Sequence, residues 1–342
     1  MGDQLRRRSA VIGQVAVLRS FRCPTPYLYG NKANALQQLA EAYERQGDER
    51  LAIQACDNGL DTIDKAIIIT NLDADSYNNK AAILGQLSRL HMRGGRAPDA
   101  DEAAMQAIKC CETALELSPT HLRAAHNMAL SLSQVAETKQ RQGDDDMAIT
   151  TYEKALPWFE QALIGAAGDT DILLAKAGAL FRLGQARHRR VTRRLSNMRE
   201  EQLLIREEYQ AAIDTTDQIV AANHGLNTAH LYRGQACAGL AYWNAQEGNY
   251  TKAINLYRDA VASCDKLSGH PLTGALALTL KAQSQLERSR LEIKLNRRPD
   301  ALESVLDAAK TFRAALVASP DDVDLRAGLR ESLHLCTIIS GK

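Results

Sequence analysis

The stretch QARHRRVTRRLSNMREE, residues 185 to 201, carries the side chains of this sequence that are best suited to binding an anion. On a helix, residues 187 to 194 would span roughly 10 Å, close to one Debye length in physiological salt, so a bound anion would interact with several charges together. The arginines between residues 182 and 199 have no acid among them, and they are Arg182, Arg187, Arg189, Arg190, Arg193, Arg194 and Arg199. They predict a docking site for an acidic protein segment, a nucleic-acid backbone or a membrane surface, in that order.

The same arginines also fit a purely structural interpretation, which the residues that follow favour. Four acids come next in the sequence: Glu200, Glu201, Glu207 and Glu208. If both arms of a helical hairpin are equally long, the turn falls near Asn197 and arms of opposite charge pair, each exposed pair contributing some tenths of a kcal/mol. The apolar residues expected to face each other across it are Val191, Leu195 and Met198 on one arm and Leu203, Leu204 and Tyr209 on the other. Nucleic acid is the weaker binding alternative, because the net charge is only +1 and no aromatic residue lies among the arginines.

Catalytic and metal-binding patterns are absent from the sequence. His121 and His126 are five residues apart, which does not bring them onto one helix face, and neither stands in an H-E-x-x-H motif. The sequence has no G-x-S-x-G nucleophile motif, no P-loop and no G-x-G-x-x-G after a strand. The acidic run at residues 144 to 146 opens a predicted helix, where acids complement the helix dipole. We therefore predict a protein that is not an enzyme and that has no metal or other cofactor.

The cysteines indicate a reducing compartment rather than a disulfide framework. There are seven of them, an odd number, and no two form a C-x-x-C pair. The adjacent Cys110 and Cys111 could suggest redox chemistry, but Cys111, like Cys56 and Cys264, stands where helix packing is expected to bury it. No apolar run reaches the roughly 18 residues that a transmembrane helix needs. The sequence predicts a cytoplasmic protein.

The elements that must position these residues are helices. Aromatic residues make up 5% of the chain and only eight prolines interrupt it, while Ala, Leu, Gln, Arg and Glu recur throughout its 342 residues. A single large core normally uses more aromatic residues, whereas stacked helical hairpins fill thin interfaces with small side chains. The composition therefore predicts an all-α fold and favours a solenoid.

A residue triplet repeats along the chain: an alanine, a bulky residue four positions later and a small residue three after that, all on one helix face. It occurs at Ala52, Cys56, Gly59; Ala107, Cys111, Ala114; Ala148, Tyr152, Ala155; Ala155, Phe159, Ala162; Ala253, Tyr257, Ala260; and Ala308, Phe312, Ala315. Turn signals such as RQGDE, RGGRAPD and RQGDDD precede these helices, with Gly closing one helix and Asp capping the next.

With these features, LQQLAEAYERQGDERLAIQACDNGL at residues 36 to 60 and AYWNAQEGNYTKAINLYRDAV at residues 241 to 261 resemble the tetratricopeptide repeat (TPR) family. The units are longer than the family's repeat of about 34 residues. The resemblance implies a TPR-like α-solenoid of about six antiparallel helix hairpins plus a C-terminal capping helix. The expected hairpins span roughly 31–70, 75–118, 120–167, 170–224, 226–268 and 272–319, and the capping helix runs from Asp321 to about Ser340.

Two parts of the chain are expected: an N-terminal helix or extension over residues 1–30 and a TPR-like superhelical repeat domain over residues 31–342. The extension is rich in arginine and poor in acids. Its Val11, Ile12, Val15 and Leu18 have helical spacing and are expected to cover the open end of the first repeat. An organellar transit peptide is the weaker alternative.

The resemblance implies an interaction scaffold that binds a partner protein or peptide on the concave surface formed by the first helix of each hairpin. The inner-facing positions are Asn34, Gln37, Glu41, Asn79, Gln86, Arg123, Asn127, Leu130, Gln235 and Tyr242. Asn127 is the strongest candidate, because an amide can both donate to and accept from a peptide backbone. The alternatives are a sensor or recruitment module of a larger signalling protein, and binding of nucleic acid or an acidic partner through residues 182–199.

Overall fold

The protein is all-helical over the residues that its computed structural model describes, which are 25–194, 198–222, 226–267 and 273–341. These residues form thirteen α-helices and no strand. The helices are α1 (Pro26–Arg45), α2 (Glu49–Ile69), α3 (Ala74–Arg93), α4 (Ala97–Leu117), α5 (Leu122–Arg141), α6 (Asp145–Leu163), α7 (Thr170–Arg194), α8 (Met198–Ala222), α9 (Asn227–Gln246), α10 (Tyr250–Asp265), α11 (Gly274–Lys294), α12 (Arg298–Ala318) and α13 (Val323–Ser340). They confirm the six predicted hairpins and the last helix. The predicted N-terminal helix falls almost entirely on residues 1–24, which lie outside the described residues.

Each hairpin begins with an odd-numbered helix. These helices, up to α11, and the last helix α13 are called A helices here, and the even-numbered helices are called B helices. The first four A helices begin at residues 26, 74, 122 and 170. Successive A helices therefore start 48 residues apart, which is also the separation between Asp75 and Arg123. The five A–B turns among the described residues share a left-handed residue, with positive φ at Gly47, Gly95, Gly143 and Gly248 and at Asn296. Glycine adopts this conformation without strain and asparagine is the next best residue, so these positions end each A helix sharply.

Packing within the hairpins confirms the predicted triplets. Every alanine of the six triplets is buried, and so are the bulky residues Cys56, Cys111, Tyr152, Phe159, Tyr257 and Phe312. Small residues let the neighbouring helix approach closely while the bulky residue fills the space between. The helix starts are capped as the turn signals predict: the side chains of Asp48 and Asp144 accept hydrogen bonds from the backbone N–H of Leu51 and Met147. The acidic run at residues 144–146 is therefore a cap.

The chain divides into two compact units, one ending at Ile172 and the other beginning at Leu173. In unit 1, each A helix packs against its own B helix, and α1, α3 and α5 also touch in succession. In unit 2, α9, α11 and α13 touch in the same way. Each unit therefore has one face made of adjacent A helices, called the A face below.

The fourth hairpin, α7–α8, is longer than the three before it, and the extra length lies at its tip. Its A helix begins at residue 170 and the next one, α9, begins at residue 227, a longer interval than the constant spacing of the preceding A helices. Up to residue 189, the order of buried and exposed residues repeats that of the α5 residues one constant spacing earlier in the chain. From residue 202 onward, it repeats that of the α6 residues that precede it by the longer interval. Tyr209 and Ala212, for example, are buried at the places of Tyr152 and Ala155. Nine additional residues thus lie between positions 190 and 201, inside the arginine-rich stretch.

Candidate protein-interaction surface

The A face of unit 1 is lined by amide side chains that connect neighbouring A helices. Asn127 Nδ2 on α5 donates to Asn78 Oδ1 on α3 at 2.9 Å. One to two turns further along, Gln134 Nε2 donates to the backbone oxygen of Gly85 at 3.1 Å. Each bond joins residues 49 positions apart. The amides therefore hold α3 and α5 at a fixed register.

Charged pairs continue this connection. Arg123 Nη2 and His121 Nε2 on one side meet Asp75 Oδ1 on the other, at 2.8 Å and 3.2 Å. Between α1 and α3, Gln86 Nε2 donates to Glu44 Oε2 at 3.4 Å. All three A helices of unit 1 are thus joined by polar contacts across their A face.

The predicted binding residues of unit 1 lie on its A helices with different exposure. Arg123 is exposed, and the others except Gln86 are half-buried, namely Asn34, Gln37, Glu41, Asn79, Asn127 and Leu130. Gln86 is fully buried, so its side chain cannot be part of an exposed surface. The correction has a physical cause, because Gln86 turns toward Glu44 of the neighbouring helix. Asn127, the strongest candidate from the sequence, already donates to Asn78.

In unit 2, the predicted residues Gln235 and Tyr242 both lie on α9, where Gln235 is half-buried and Tyr242 is 39% exposed. The Tyr242 ring lies 5.0 Å from His188 and 5.4 Å from Trp243. Trp243 Nε1 donates to His188 Nδ1 at 3.1 Å, which requires a neutral imidazole with its proton on Nε2. Burial, together with the nearby Arg189, lowers the pKa of His188 and so favours this neutral form.

A charged cluster on α11 and α13 was not predicted from the sequence. Arg290 is bonded to Glu287 on its own helix and to Glu331 on α13, with Nε 3.0 Å from Glu331 Oε1. Burial raises the pKa of Glu287, although Arg290 opposes this shift. Glu331 lies two helices further along the chain than Arg290. Spacing rules that apply within one helix therefore do not predict the Arg290–Glu331 ion pair from the sequence.

Another signal was present but missed. Asp64 pairs with Lys80 at 2.6 Å, and Asp217 pairs with Arg233 at 2.6 Å, each acid lying on a B helix and each base 16 residues later on the next A helix. Asp265 and Lys281 form a third pair at the same separation. A search for acid–base pairs at this separation would have located the junctions between hairpins.

The arginine stretch is largely engaged with the acidic arm of its own hairpin. Arg187 is 6% exposed, and its Nε donates to Glu208 Oε1 at 2.6 Å. Both Arg187 and Arg190 also bond to Glu201. Arg182 and Arg189 are half-buried, Arg193 and Arg199 are exposed, and the side chain of Arg194 lies outside the described residues. These contacts favour the structural interpretation of the stretch over a free basic patch.

The apolar contacts expected across this hairpin are only partly present. Val191 and Tyr209 are buried, but Leu203 and Leu204 are exposed and Ile205 takes the interior position instead. The expectation for Leu203 and Leu204 was wrong, because Ile205 fills the interior position on this turn of α8. The side chains of Leu195 and Met198 lie outside the described residues.

The cysteines have the packing role expected from their positions. Cys56, Cys111 and Cys264 are buried, and burial raises the pKa of the Cys56 and Cys264 thiols to about 12 and that of Cys111 further still. His121 caps α5 by accepting from the Ala124 N–H. Within the described ranges, no group of three or more His, Cys, Asp or Glu side chains could hold a metal ion. No helix found there is both long and apolar enough to span a bilayer.

Comparison with known proteins identifies the fold. No family model and no curated protein matches this sequence. The nuclear import adaptor Nro1 of S. pombe is similar in structure, with 11% identity, a TM-score of 0.58 and coverage of 90% of this chain and 99% of Nro1. BtubC (BKLC) from P. vanneervenii has 17% identity, a TM-score of 0.54 and coverage of 78% of this chain and 93% of BtubC.

A third similar structure carries the repeat in its description. It is PH0952 from Pyrococcus horikoshii, a STAND protein with a tetratricopeptide repeat sensor, with 14% identity, a TM-score of 0.50 and coverage of 91% of this chain and 44% of PH0952. This chain has a TPR-like fold. Its hairpins depart from the family's repeat in length, since the A helices of unit 1 start at residues 26, 74 and 122 and so lie further apart than the consensus of about 34 residues.

Proposed function

We propose that the chain is a non-catalytic interaction scaffold that binds a partner protein or peptide on the A face. The observation that carries this proposal is the A face of unit 1, where α1, α3 and α5 adjoin and present half-buried amides. Amides donate and accept in the same plane and so match a peptide backbone. The bonds from Asn127 to Asn78 and from Gln134 to the backbone oxygen of Gly85 fix the surface before a partner binds, which lowers the entropy cost of binding.

The comparisons support this class of function. Nro1, which shares the fold, is described as a nuclear import adaptor. Burial raises the pKa of the Cys56 and Cys111 thiols and so makes these two cysteines poor nucleophiles, which agrees with the non-catalytic part of the proposal.

A sensor or recruitment module within a larger signalling protein is the second candidate function. It is favoured by the likeness to PH0952, whose description assigns its tetratricopeptide repeat to a sensor. Binding through the arginine stretch ranks below both, because Arg187 and Arg190 already bond to Glu201 and Glu208.

The experiment is affinity purification of the full chain from its own cell extract, with and without nuclease, followed by mass spectrometry. The A-face variant Asn34→Ala/Asn79→Ala/Leu130→Ser removes half-buried side chains of this surface. The matched control is Met105→Ser/Met147→Ser, which changes exposed residues on the B helices α4 and α6. Arg187 is unsuitable as a probe because its replacement would leave Glu208 buried without this bond.

We expect a defined protein that survives nuclease and whose recovery falls at least about tenfold in the A-face variant, the ratio that 1.4 kcal/mol of lost binding produces. The control variant should recover it at the level of the unchanged chain. Equal loss in both variants, or recovery of material that nuclease removes, would contradict binding on the A face. A sensor would be indicated if the captured partner were a signalling enzyme that the A-face variant still binds.

A further inference from the structure

One edge of unit 1 differs from the rest of its surface in being both apolar and acidic. It is the edge opposite the Gly turns, where B helices end and A helices begin. Contacts show that its parts adjoin: Arg123 meets Asp75, and Gln161 Nε2 donates to the backbone oxygen of Pro119 at 2.9 Å. The edge comprises residues 25–30, 68–75, 116–123 and 160–171 and is called the end edge below.

Exposed apolar side chains concentrate at the first hairpin of this edge. Ile68 is 82% exposed, Tyr27 75%, Leu72 74% and Ile69 53%. These four residues are called the end patch. At the opposite edge of the unit, the turns at residues 45–49, 93–97 and 141–146 expose no large apolar side chain. Clustered apolar exposure of this kind marks a surface that another segment covers.

The charge of the end edge limits what can cover the end patch. Its segments contain one arginine, Arg123, and six carboxylates: Asp73, Asp75, Glu116, Glu160, Asp169 and Asp171. The covering segment must therefore be apolar on one side and basic on the other.

Such a segment is attached to this edge. Residues 1–24 lie outside the described residues, and the chain enters α1 at Thr25, beside Tyr27 and in the same hairpin as Ile68 and Ile69. The sequence of these residues has five arginines and one acid. Val11, Ile12, Val15 and Leu18 recur at the spacing of one helix face.

We propose that the N-terminal segment is the ligand of the end patch: Val11, Ile12, Val15 and Leu18 cover it, and the arginines around them face the carboxylates of the end edge. The geometry permits it. The seven residues from Leu18 to Thr25 reach up to about 24 Å when extended, and residues 11 to 18 span about 10 Å as a helix. Ile164 is 81% exposed and lies two hairpins further along the same edge.

The proposal is independent of the A face and can be tested without a partner. The patch variant is Ile68→Ser/Leu72→Ser, the segment variant is Val15→Asp, and the matched control is Ile164→Ser, all in the full chain. Ile68, Leu72 and Ile164 are exposed, so their replacement leaves the core unchanged. Trypsin cleaves after Arg8, Arg19 and Arg22, and limited proteolysis with mass spectrometry measures how fast each site is cut.

We expect the patch variant and the segment variant to be cut about tenfold faster at these sites, which corresponds to about 1.4 kcal/mol of lost docking. Combining the two should add nothing further, since both remove the same contact. The control should be cut at the rate of the unchanged chain. Equal rates in all variants would overturn the proposal, and so would a change of oligomeric state in the patch variant, which would assign the end patch to a second copy of the chain.

Discussion

At the scale of single residues, Arg187 shows how burial changes the meaning of a charge. In the sequence it is one of seven arginines that could attract an anion, but the structure places it in the interior of α7–α8, bonded to Glu208 and Glu201. Which arginine of the stretch becomes buried depends on the register of two helices. That register follows from the packing of Ile205, Tyr209 and Ala212 on α8, and a count of local charge does not contain it.

Replacement of Arg187 by Met is expected to destabilise the protein by about 3 kcal/mol, because it removes the bond from Arg187 Nε to the buried Glu208 carboxylate. The double variant Arg187→Met/Glu208→Met should recover part of this loss. Arg199→Met, at an exposed position, should change the free energy of unfolding by less than about 0.5 kcal/mol. Urea unfolding measures all three, and equal effects at Arg187 and Arg199 would contradict the buried pair.

The protein is expected to become less stable as the pH is lowered below about 6.5, which is the usual pKa of histidine in an unfolded chain. Burial lowers the pKa values of His91, His126 and His188 in the native state. Between the native and unfolded pKa values the unfolded chain binds more protons, so acid favours unfolding, and above about 6.5 the contribution vanishes. Unfolding in urea from pH 8 to pH 5 measures the slope. The slope should decrease in His188→Gln, and an equal slope in this variant and the unchanged chain would contradict the lowered native pKa of His188.

At the scale of helices and hairpins, the sequence predicts the fold well because its signals are local. The Gly turns, the Asp caps and the Ala-centred triplets each act within one or two helices, and the boundaries of the hairpins that carry them follow to within a few residues. The first hairpin is the largest difference, since α1 begins at Pro26 and the predicted start was residue 31. The A face is less predictable, because the bond from Asn127 to Asn78 and the burial of Gln86 depend on how separate hairpins align.

The nine additional residues of the fourth hairpin are expected to be dispensable for folding. Replacing residues 190–201 by Gln-Gly-Asp, the turn at residues 142–144, restores the constant spacing of the A helices and keeps Arg187 beside Glu208. The melting temperature should fall by less than about 5 °C, since the loss is limited to Val191 and the bonds to Glu201. Deleting nine residues from α8 alone should abolish cooperative melting, because it shifts Tyr209 and Ala212 out of register. Similar melting curves for the two deletions, measured by circular dichroism, would refute the assignment of the extra residues to the tip.

At the scale of the whole molecule, stability is distributed along the chain. Each of the two units, divided after Ile172, has its own interior, and each hairpin packs mainly on its sequence neighbours. Proteins of this kind are stabilised by the sum of their repeats and of the interfaces between neighbours. A unit therefore tolerates changes in repeat number better than changes within a repeat.

Insertion of a second copy of residues 74–121 after residue 121 is expected to give a folded, longer chain. The copy supplies one complete hairpin, α3–α4, and His121, which caps α5, stands at the start of the copied α3 as well. Helicity per residue should be unchanged. A shorter copy, residues 82–121, lacks the start of α3 and should melt with poor cooperativity. Circular dichroism and size-exclusion chromatography distinguish the two, and aggregation of both variants would show that the hairpins are not interchangeable.

The constant spacing of the first four A helices also has a consequence for how such a gene changes. Because the hairpins recur at equal intervals, unequal recombination between any two equivalent positions preserves both the reading frame and the hydrophobic register. Length variants of this chain should therefore differ by whole hairpins. Exchange that involves the fourth hairpin will also transmit or delete the nine-residue tip as a unit, so arginine content and repeat number can be inherited independently.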